Sequence, residues 1–369
     1  MTRPLTGLKI IELARILAGP WCGQLLADLG AEVIKVERPG AGDDTRHWGP
    51  PFLTSPDGEN LDAAYYHSAN RGKQALAIDI ASPEGQQQIR ELVQDADVVI
   101  ENYKVGGLAK YGLDHASLSA LNPRLITCSI TGFGQSGPYA HRAGYDFIIQ
   151  GMGGIMSLTG EPDGAPQKSG IAYADIFTGV YSAVAILAAL RQRDLTGTGA
   201  HIDMALLDTQ VAVLANQALN WMASGQVPHR MGNGHANLVP YQAFACADGE
   251  LIVAVGNDGQ FAKLCGVLGL PLAADPRFAT NPARVENRAA LIAALTAAIV
   301  TWRKAALYEA LEQVGVPAGP INTVAEVFAD PQVRARGLAI TRAGLPGVAS
   351  PIVIDGARMV SDLPSPRRP

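Results

Sequence analysis

In SGIAYADIFTGVYSAVAILAAL, residues 169–190, one acid, Asp175, stands at the edge of an apolar run with no base beside it. An aspartate before a helical run is ordinarily an N-cap, and that reading stands beside a chemical one. The chain is already apolar from Ile171, which sets the acid between buried stretches rather than on a wet corner. A helix N-terminus biases such a seat towards an anion, and a carboxylate can carry an acyl group as a covalent nucleophile. Arg15 and Arg38 fall at or just past the ends of predicted strands, where open α/β sheets bind ligands. Their guanidinium forks suit phosphate, although both also read as solvated strand-end charges.

Other chemistries find less support. The first strand–helix turn is ARILAGPWCG, not GxGxxG, and Glu37 is followed at once by Arg38-Pro39, so no nicotinamide cofactor is expected. Lys73 in ANRGKQ lacks a preceding phosphate loop. The seven histidines lack ligand spacing and the four cysteines lack CxxC spacing, so no metal is expected. No G-x-S-x-G elbow is present, and Ser136 in GFGQSGPYA reads as part of a turn-rich loop. A net charge of −5, with no basic run beyond Arg367-Arg368, argues against a nucleic-acid partner. There is no signal-peptide pattern and no uncharged apolar run of about 18 residues, so neither secretion nor a membrane is expected. The cysteines read as reduced thiols, and the expected location is cytoplasmic.

These residues need elements to hold them. With 369 residues, 48% hydrophobic and 17% charged, the chain exceeds one ordinary core. Strands are predicted at 8–13, 32–38, 75–80, 97–103, 125–132 and 201–206. Helices are predicted at 19–30, from Ser82-Pro83 over PEGQQQIRELV, at 144–160, at 174–192 and from 206 to 222. Strands alternating with helices imply a parallel, doubly wound sheet, an α/β fold. GQVPHRMGNGHANLVP (225–240) and VGVPAGPIN (314–322) read as irregular connections. Between them lie a hairpin over 241–256 and helices near 259–267, 285–299 and 302–313. The predicted organisation is a large Rossmann-like domain, 1–220 plus 316–369, interrupted by a smaller α+β domain at 225–315.

GAEVIKVERPGAGD and ITGFGQSGP…AGYD, with ANRGKQALAIDI, DVVIENY and SGIAYAD, resemble the class III (formyl-CoA transferase-like) CoA-transferase family from about residue 5 to 335. GDDTRHWGPPF, VPYQAF and GVPAGPIN look most like its succinyl-CoA-dependent dicarboxylate branch. The resemblance implies acyl-CoA and small carboxylic acids as substrates, coenzyme A as the carried group, and ring-shaped chains interlocked as a homodimer. It makes Asp175 the catalytic carboxylate, which passes through a mixed anhydride and an aspartyl-CoA thioester.

The same resemblance carries Arg15, Ile16, Leu17, Ala18, Arg38, Asn70, Arg71, Lys73, Asn102 and Lys110 onto the CoA side. It sets Gln135 beside the acyl group, and Gly232, Asn233 and Gly234 where relatives have a glycine-rich covering loop. Lys110 departs from an arginine in the formate-using branch. For the far carboxylate of a dicarboxylate, Arg46, His47, Arg71, His141 and Arg142 are the cations on offer, Arg46 and Arg71 first. The rival on the same fold is an α-methylacyl-CoA racemase, whose AGHD is AGYD here. Tyr145 replaces its histidine and leaves proton transfer without an imidazole. A non-catalytic CoA-binding paralogue is the other alternative.

Overall fold

Six strands build the sheet on which the helix bearing Asp175 packs: β1 Lys9–Glu12, β2 Glu32–Glu37, β3 Lys73–Ala77, β4 Val98–Glu101, β5 Ile126–Thr131 and β6 His201–Ala205. Every pairing between neighbours is parallel. Their order, β3-β2-β1-β4-β5-β6, reverses direction between β1 and β4. Ligands bind outside the carboxyl ends of strands at such a switch point.

The strands are apolar on both faces because both are covered. Ile10, Val33, Ile100, Ile126 and Cys128 pack on one side with Cys22 and Leu26 of α1 (Ala18–Asp28) and Ile186 of α5 (Tyr173–Thr196). Ile11, Ile34, Val36 and Val99 pack on the other with Ile89 and Val93 of α2 (Pro83–Gln94) and Leu118 of α3 (His115–Leu121). Ser82 caps α2 as its sequence predicts, its hydroxyl accepting from the Gly85 N–H at 2.9 Å. The remaining helix near the site is α4, Asp146–Met152.

The computed structural model describes residues 3–55 and 57–369, and they fall into two units. The first comprises residues up to 156, 168–215 and 330 onwards; the second, 157–167 and 216–329. The return to the first unit therefore comes at 330 rather than 316, and 157–167 go with the second. That unit has its own core, in which Phe244, Leu251, Phe261, Leu291, Leu295 and Leu307 are buried. Its sheet pairs β7 (Tyr241–Cys246) with β8 (Gly249–Ala254), and β8 with β9 (Ala318–Pro320), all antiparallel.

Four expectations shift. The stretch from 314 to 322 contains β9 rather than only a connection; an edge strand tolerates the proline that a central one rejects. The helix expected over 144–160 is two, α4 and Ile155–Leu158, divided at Gly153-Gly154, where Gly154 has φ +90°. The helix expected from 206 to 222 is Leu206–Ala212 and Ala215–Ser224, divided before Ala215 at φ +46°. The strand expected at 75–80 begins at Lys73, because the Lys73 ammonium is drawn under the sheet onto Glu12 of β1, 2.8 Å away.

Helix α5 is long and apolar enough, by composition alone, to cross a membrane. In this fold its inner face, including Thr178, Gly179, Ser182, Ala183 and Ile186, is buried, while Val180, Tyr181, Val184 and Leu187 are exposed. At Gly179 it approaches α1 so closely that an added Cβ would lie 2.7 Å from the Ala18 carbonyl oxygen and 3.0 Å from Trp21 Cβ. Gly179→Ala should therefore destabilise the protein by about 1–3 kcal/mol, the overpacking exceeding alanine's helix-propensity advantage. Urea unfolding checks this; an unchanged or higher midpoint would show that the contact gives way.

Candidate active site

Asp175 lies in the first turn of α5 but does not cap it. The helix has no local side-chain cap at Ala172. Asp146, the acid of the AGYD stretch, performs that task from α4: its Oδ1 accepts from the Ala174 N–H at 2.8 Å and from the Asp175 N–H at 3.4 Å. Gln150 Nε2 donates to Asp146 Oδ2 at 2.7 Å, and buried Gln150 also takes the Ser169 N–H on its Oε1 at 2.8 Å. The 169–175 segment is thereby latched to α4, and the N-cap reading of Asp175 is replaced by one in which its carboxylate is spare.

Among the described residues nothing donates a hydrogen bond to that carboxylate. Burial, then the like charge of Asp146, push its pKa up to about 7. Tyr65 is pushed up to about 12, by burial first and then by the charges of Asp175, Asp146 and Asp43, which brings it into the same electrostatic neighbourhood. No motif marked Tyr65; only the fold brings it near the acid.

The carboxylate faces a cavity of about 240 Å³ at the switch point. Arg15, Ile16, Leu17 and Ala18 come to it from the turn between β1 and α1, and Asn102 with Lys104 from the end of β4. Tyr145 and Arg142 come from the loop ahead of α4. Eight of the residues singled out in the sequence thus meet here: Asp175, Arg15 to Ala18, Asn102, Arg142 and Tyr145. A second cavity, of about 430 Å³, opens along the ends of β1, β2 and β3, and Arg15, Arg38 and Lys110 line it with Lys104 and Tyr103. Lys104 belongs to both cavities and had no sequence signal beyond following DVVIENY.

Other expected contacts are corrected by burial. Arg46 is enclosed: it donates to Glu37 through Nε and Nη2 at 2.7 Å each, to Asp62 at 2.6 Å and to the Tyr66 hydroxyl at 2.7 Å. It has no donor left for a substrate carboxylate. Arg71 is likewise committed to Asp28 at 2.6 and 3.1 Å and to the Val348 carbonyl at 2.8 Å. Lys73 is wholly buried against Glu12, Asn70 and the Pro20 carbonyl, and burial brings its pKa down to about 8. Asn70 is buried beside it, its amide donating to the Tyr66 carbonyl. These four support the sheet from beneath rather than line either cavity.

Gln135 lines a third cavity with Lys104, His115 and His201, away from Asp175, and its N–H donates to the Asp203 carboxylate. Gly232, Asn233 and Gly234 belong to the second unit, where Gly232 has φ +56° and donates its N–H to the Gly160 carbonyl. No group of three or more His, Cys, Asp or Glu side chains among the described residues could hold a metal.

A doubly wound sheet with an unpaired carboxylate at its switch point, beside two cavities edged by basic side chains, is built for group transfer on an anionic ligand. The chain belongs to CoA-transferase family III, whose model matches residues 5–367, and it is an enzyme of that class. It is 57% identical over 370 residues to succinate–glutarate CoA-transferase of Agrobacterium fabrum, covering 99% of this chain and 92% of the relative. It is 45% identical over 337 residues to succinyl-CoA:glutarate CoA-transferase of Mus musculus, covering 91% and 76%. Among solved structures, a CAIB/BAIF family protein from Brucella suis superposes with a TM-score of 0.88 at 60% identity, covering 100% of this chain and 97% of that one.

The raised pKa of Asp175 has a consequence for stability. Between about pH 4 and 7 the native chain keeps a proton that the unfolded chain has released, so stability falls as pH rises through that window. Asp175→Asn removes the dependence. Its Tm should exceed that of the parent protein at pH 8, and by less at pH 5; equal differences at the two pH values would show that the carboxylate is not strained by its surroundings.

Proposed function

We propose that this enzyme moves CoA from succinyl-CoA to a dicarboxylic acid through an acyl and then a thioester intermediate on Asp175. The observation that carries the reading is the spare carboxylate itself, part-buried, without a donor, and facing the switch-point cavity. Its ionised form attacks the thioester carbonyl of the donor; the C–S bond breaks, leaving a mixed anhydride and CoA thiolate. The thiolate attacks the aspartyl carbonyl, giving an aspartyl-CoA thioester and releasing succinate. An acceptor carboxylate then attacks that thioester and frees the thiolate, which takes the acceptor acyl group from the new anhydride and restores Asp175. Each step exchanges one activated acyl bond for another, so exclusion of water decides the yield. Oxyanion stabilisation falls to backbone N–H groups at the start of α1 and in the loops lining the cavity, since Asp146 already takes those of Ala174 and Asp175.

In this reading the phosphates of CoA lie along the larger cavity, where Arg38, Lys104 and Lys110 offer cations. Arg142, exposed over the Tyr139 ring and lining the Asp175 cavity, takes the far carboxylate of the acid in place of the enclosed Arg46. The names of the relatives support succinyl-CoA as donor and a five-carbon diacid such as glutarate as acceptor. A racemase reading is not favoured: Tyr145 stands where that chemistry needs an imidazole. The homodimer, interlocked as the family resemblance implies, would cover the apolar surface formed by Phe147, Ile148, Tyr181 and Val184. Four free, buried cysteines accord with a reducing cytoplasm.

With succinyl-CoA as donor, glutarate and related diacids should give new CoA esters by mass spectrometry, and turnover only with monocarboxylates would overturn the assignment. Arg142→Ala should raise KM for the diacid at least tenfold while changing KM for succinyl-CoA less; equal rises would remove Arg142 from the acceptor site. Asp175→Ala should abolish exchange, and hydroxylamine or borohydride trapping followed by peptide mapping should mark residue 175 in the parent enzyme. Because the nucleophile must be ionised, kcat/KM should climb with pH through about 7.

A further inference from the structure

Ile16 is at φ +74°, a left-handed conformation that a β-branched side chain rarely adopts. It lines the Asp175 cavity in the turn that ends β1 and begins α1. Strained residues of this kind persist only where their surroundings over-determine them, and they gather at functional sites. Here the surroundings are explicit. The Asn102 side-chain amide holds the preceding residue from both sides: its Oδ1 accepts the Arg15 N–H at 3.0 Å and its Nδ2 donates to the Arg15 carbonyl at 2.6 Å. The Ile16 N–H itself is shared between the two oxygens of Asp43, at 3.3 Å each.

Asp43 is anchored in turn. It accepts from the Thr45 N–H at 3.0 Å and hydroxyl at 2.8 Å, and pairs with the Lys35 ammonium at 2.9 Å. Lys35 reaches on to Glu12 at 3.0 Å and to the Ala14 carbonyl at 2.8 Å, and Lys73 binds the far side of Glu12. Burial works against charge on Lys35, yet Glu12, Asp43 and Glu37 outweigh it and hold its ammonium above the usual lysine range. Burial opposes the charge of Asp43 too, and Lys35 with the Thr45 N–H overcomes it, so this carboxylate stays ionised below the usual range. The buried run Lys73–Glu12–Lys35–Asp43 thus ends on the backbone N–H of Ile16, a β-branched residue held out of its preferred conformation.

We infer that Asn102 and Asp43 are positioning residues for CoA transfer, which act by clamping Ile16 in its left-handed turn and so fix the Arg15–Ala18 wall of the Asp175 cavity. Asn102 then serves the CoA side through the backbone of Arg15 rather than by touching the ligand. Asp43 lies within the GAEVIKVERPGAGD and GDDTRHWGPPF stretches, but its part becomes visible only in the geometry. The inference rests on the CoA-transferase reading of this cavity.

A double-mutant cycle with glycine at residue 16 tests it, because glycine adopts a positive φ without penalty. Releasing the clamp lets isoleucine leave the left-handed region, where one such residue is disfavoured by roughly tenfold or more in population. Asn102→Ala should therefore lower kcat/KM for succinyl-CoA:glutarate exchange about tenfold in the parent enzyme, but no more than about threefold relative to Ile16→Gly alone when both changes are present. Asp43→Asn should follow the same pattern, and circular dichroism should show every variant folded.

Equal losses in both backgrounds would overturn the inference, since a contact of Asn102 with the ligand, or a general structural role, would be indifferent to the backbone preference of residue 16. If Asp43→Asn fails to fold, the Asn102 arm still decides. Should peptide mapping find no adduct on Asp175 while the cycle shows coupling, the nucleophile assignment fails and the clamp stands.

Discussion

The N-terminus of α5 needs a negative partner, and Asp146 provides it from a neighbouring helix. That substitution of a distant cap for a local one frees the carboxylate two residues beyond. Had Asp175 capped its own helix, its oxygens would be bound to backbone N–H groups, with a lower pKa and a weaker nucleophile. Instead it lies in a small, part-buried space beside Asp146, and burial first, then the charge of Asp146, raise the cost of ionising it. The AGYD stretch and the acid at 175 are thus one device, 29 residues apart in sequence at Asp146 and joined by the Asp146 and Gln150 side chains.

Beneath that device the sheet is held by charges rather than by aliphatic packing alone. Glu12, Lys35, Asp43 and Lys73 are all buried, and each has at least one partner of opposite sign. Buried ion pairs of this kind add little net stability compared with well-packed apolar groups. They impose position instead, because each charge accepts only a few arrangements of its neighbours. The same applies to Arg46 between Glu37 and Asp62, and to Arg71 on Asp28. Cations that look like substrate ligands in a one-dimensional reading are the internal framework on which the ligand-bearing turns stand.

That difference marks how far the sequence could be read. The parallel sheet was legible because its strands are continuous apolar runs separated by helical periodicity, and α2 because Ser82 and Pro83 announce its start. Asp175 was legible because it interrupts an apolar stretch and Arg15 because it follows a strand, whereas Ile16 to Ala18 were marked only by the family resemblance. Whether an arginine faces solvent or an interior carboxylate depends on residues far away in the chain. For Arg46 those are Glu37, Asp62 and Tyr66, and no local pattern declares them. The strand β9 was hidden by Pro317 just before it and Pro320 within it, the latter accommodated by an edge position. The split of the helix after β6 was hidden because Leu206 to Met222 keep a helical pattern straight through the break.

The end of the chain has a part in this framework. Gly72 donates its N–H to the Leu363 and Pro364 carbonyls, Asp28 Oδ1 receives the Ser361 N–H at 2.8 Å, and Arg46 reaches the Pro366 carbonyl. A ribosome delivers β1 to β6 long before it delivers these residues, with nearly the whole second unit made in between. Until the final stretch emerges, the nascent sheet lacks partners that the finished one uses around Asp28 and Arg46. The second unit, nearly contiguous in sequence, has its own core and does not draw on that stretch, whereas the sheet completes its contacts around Asp28 and Arg46 only once residues 361–366 have emerged.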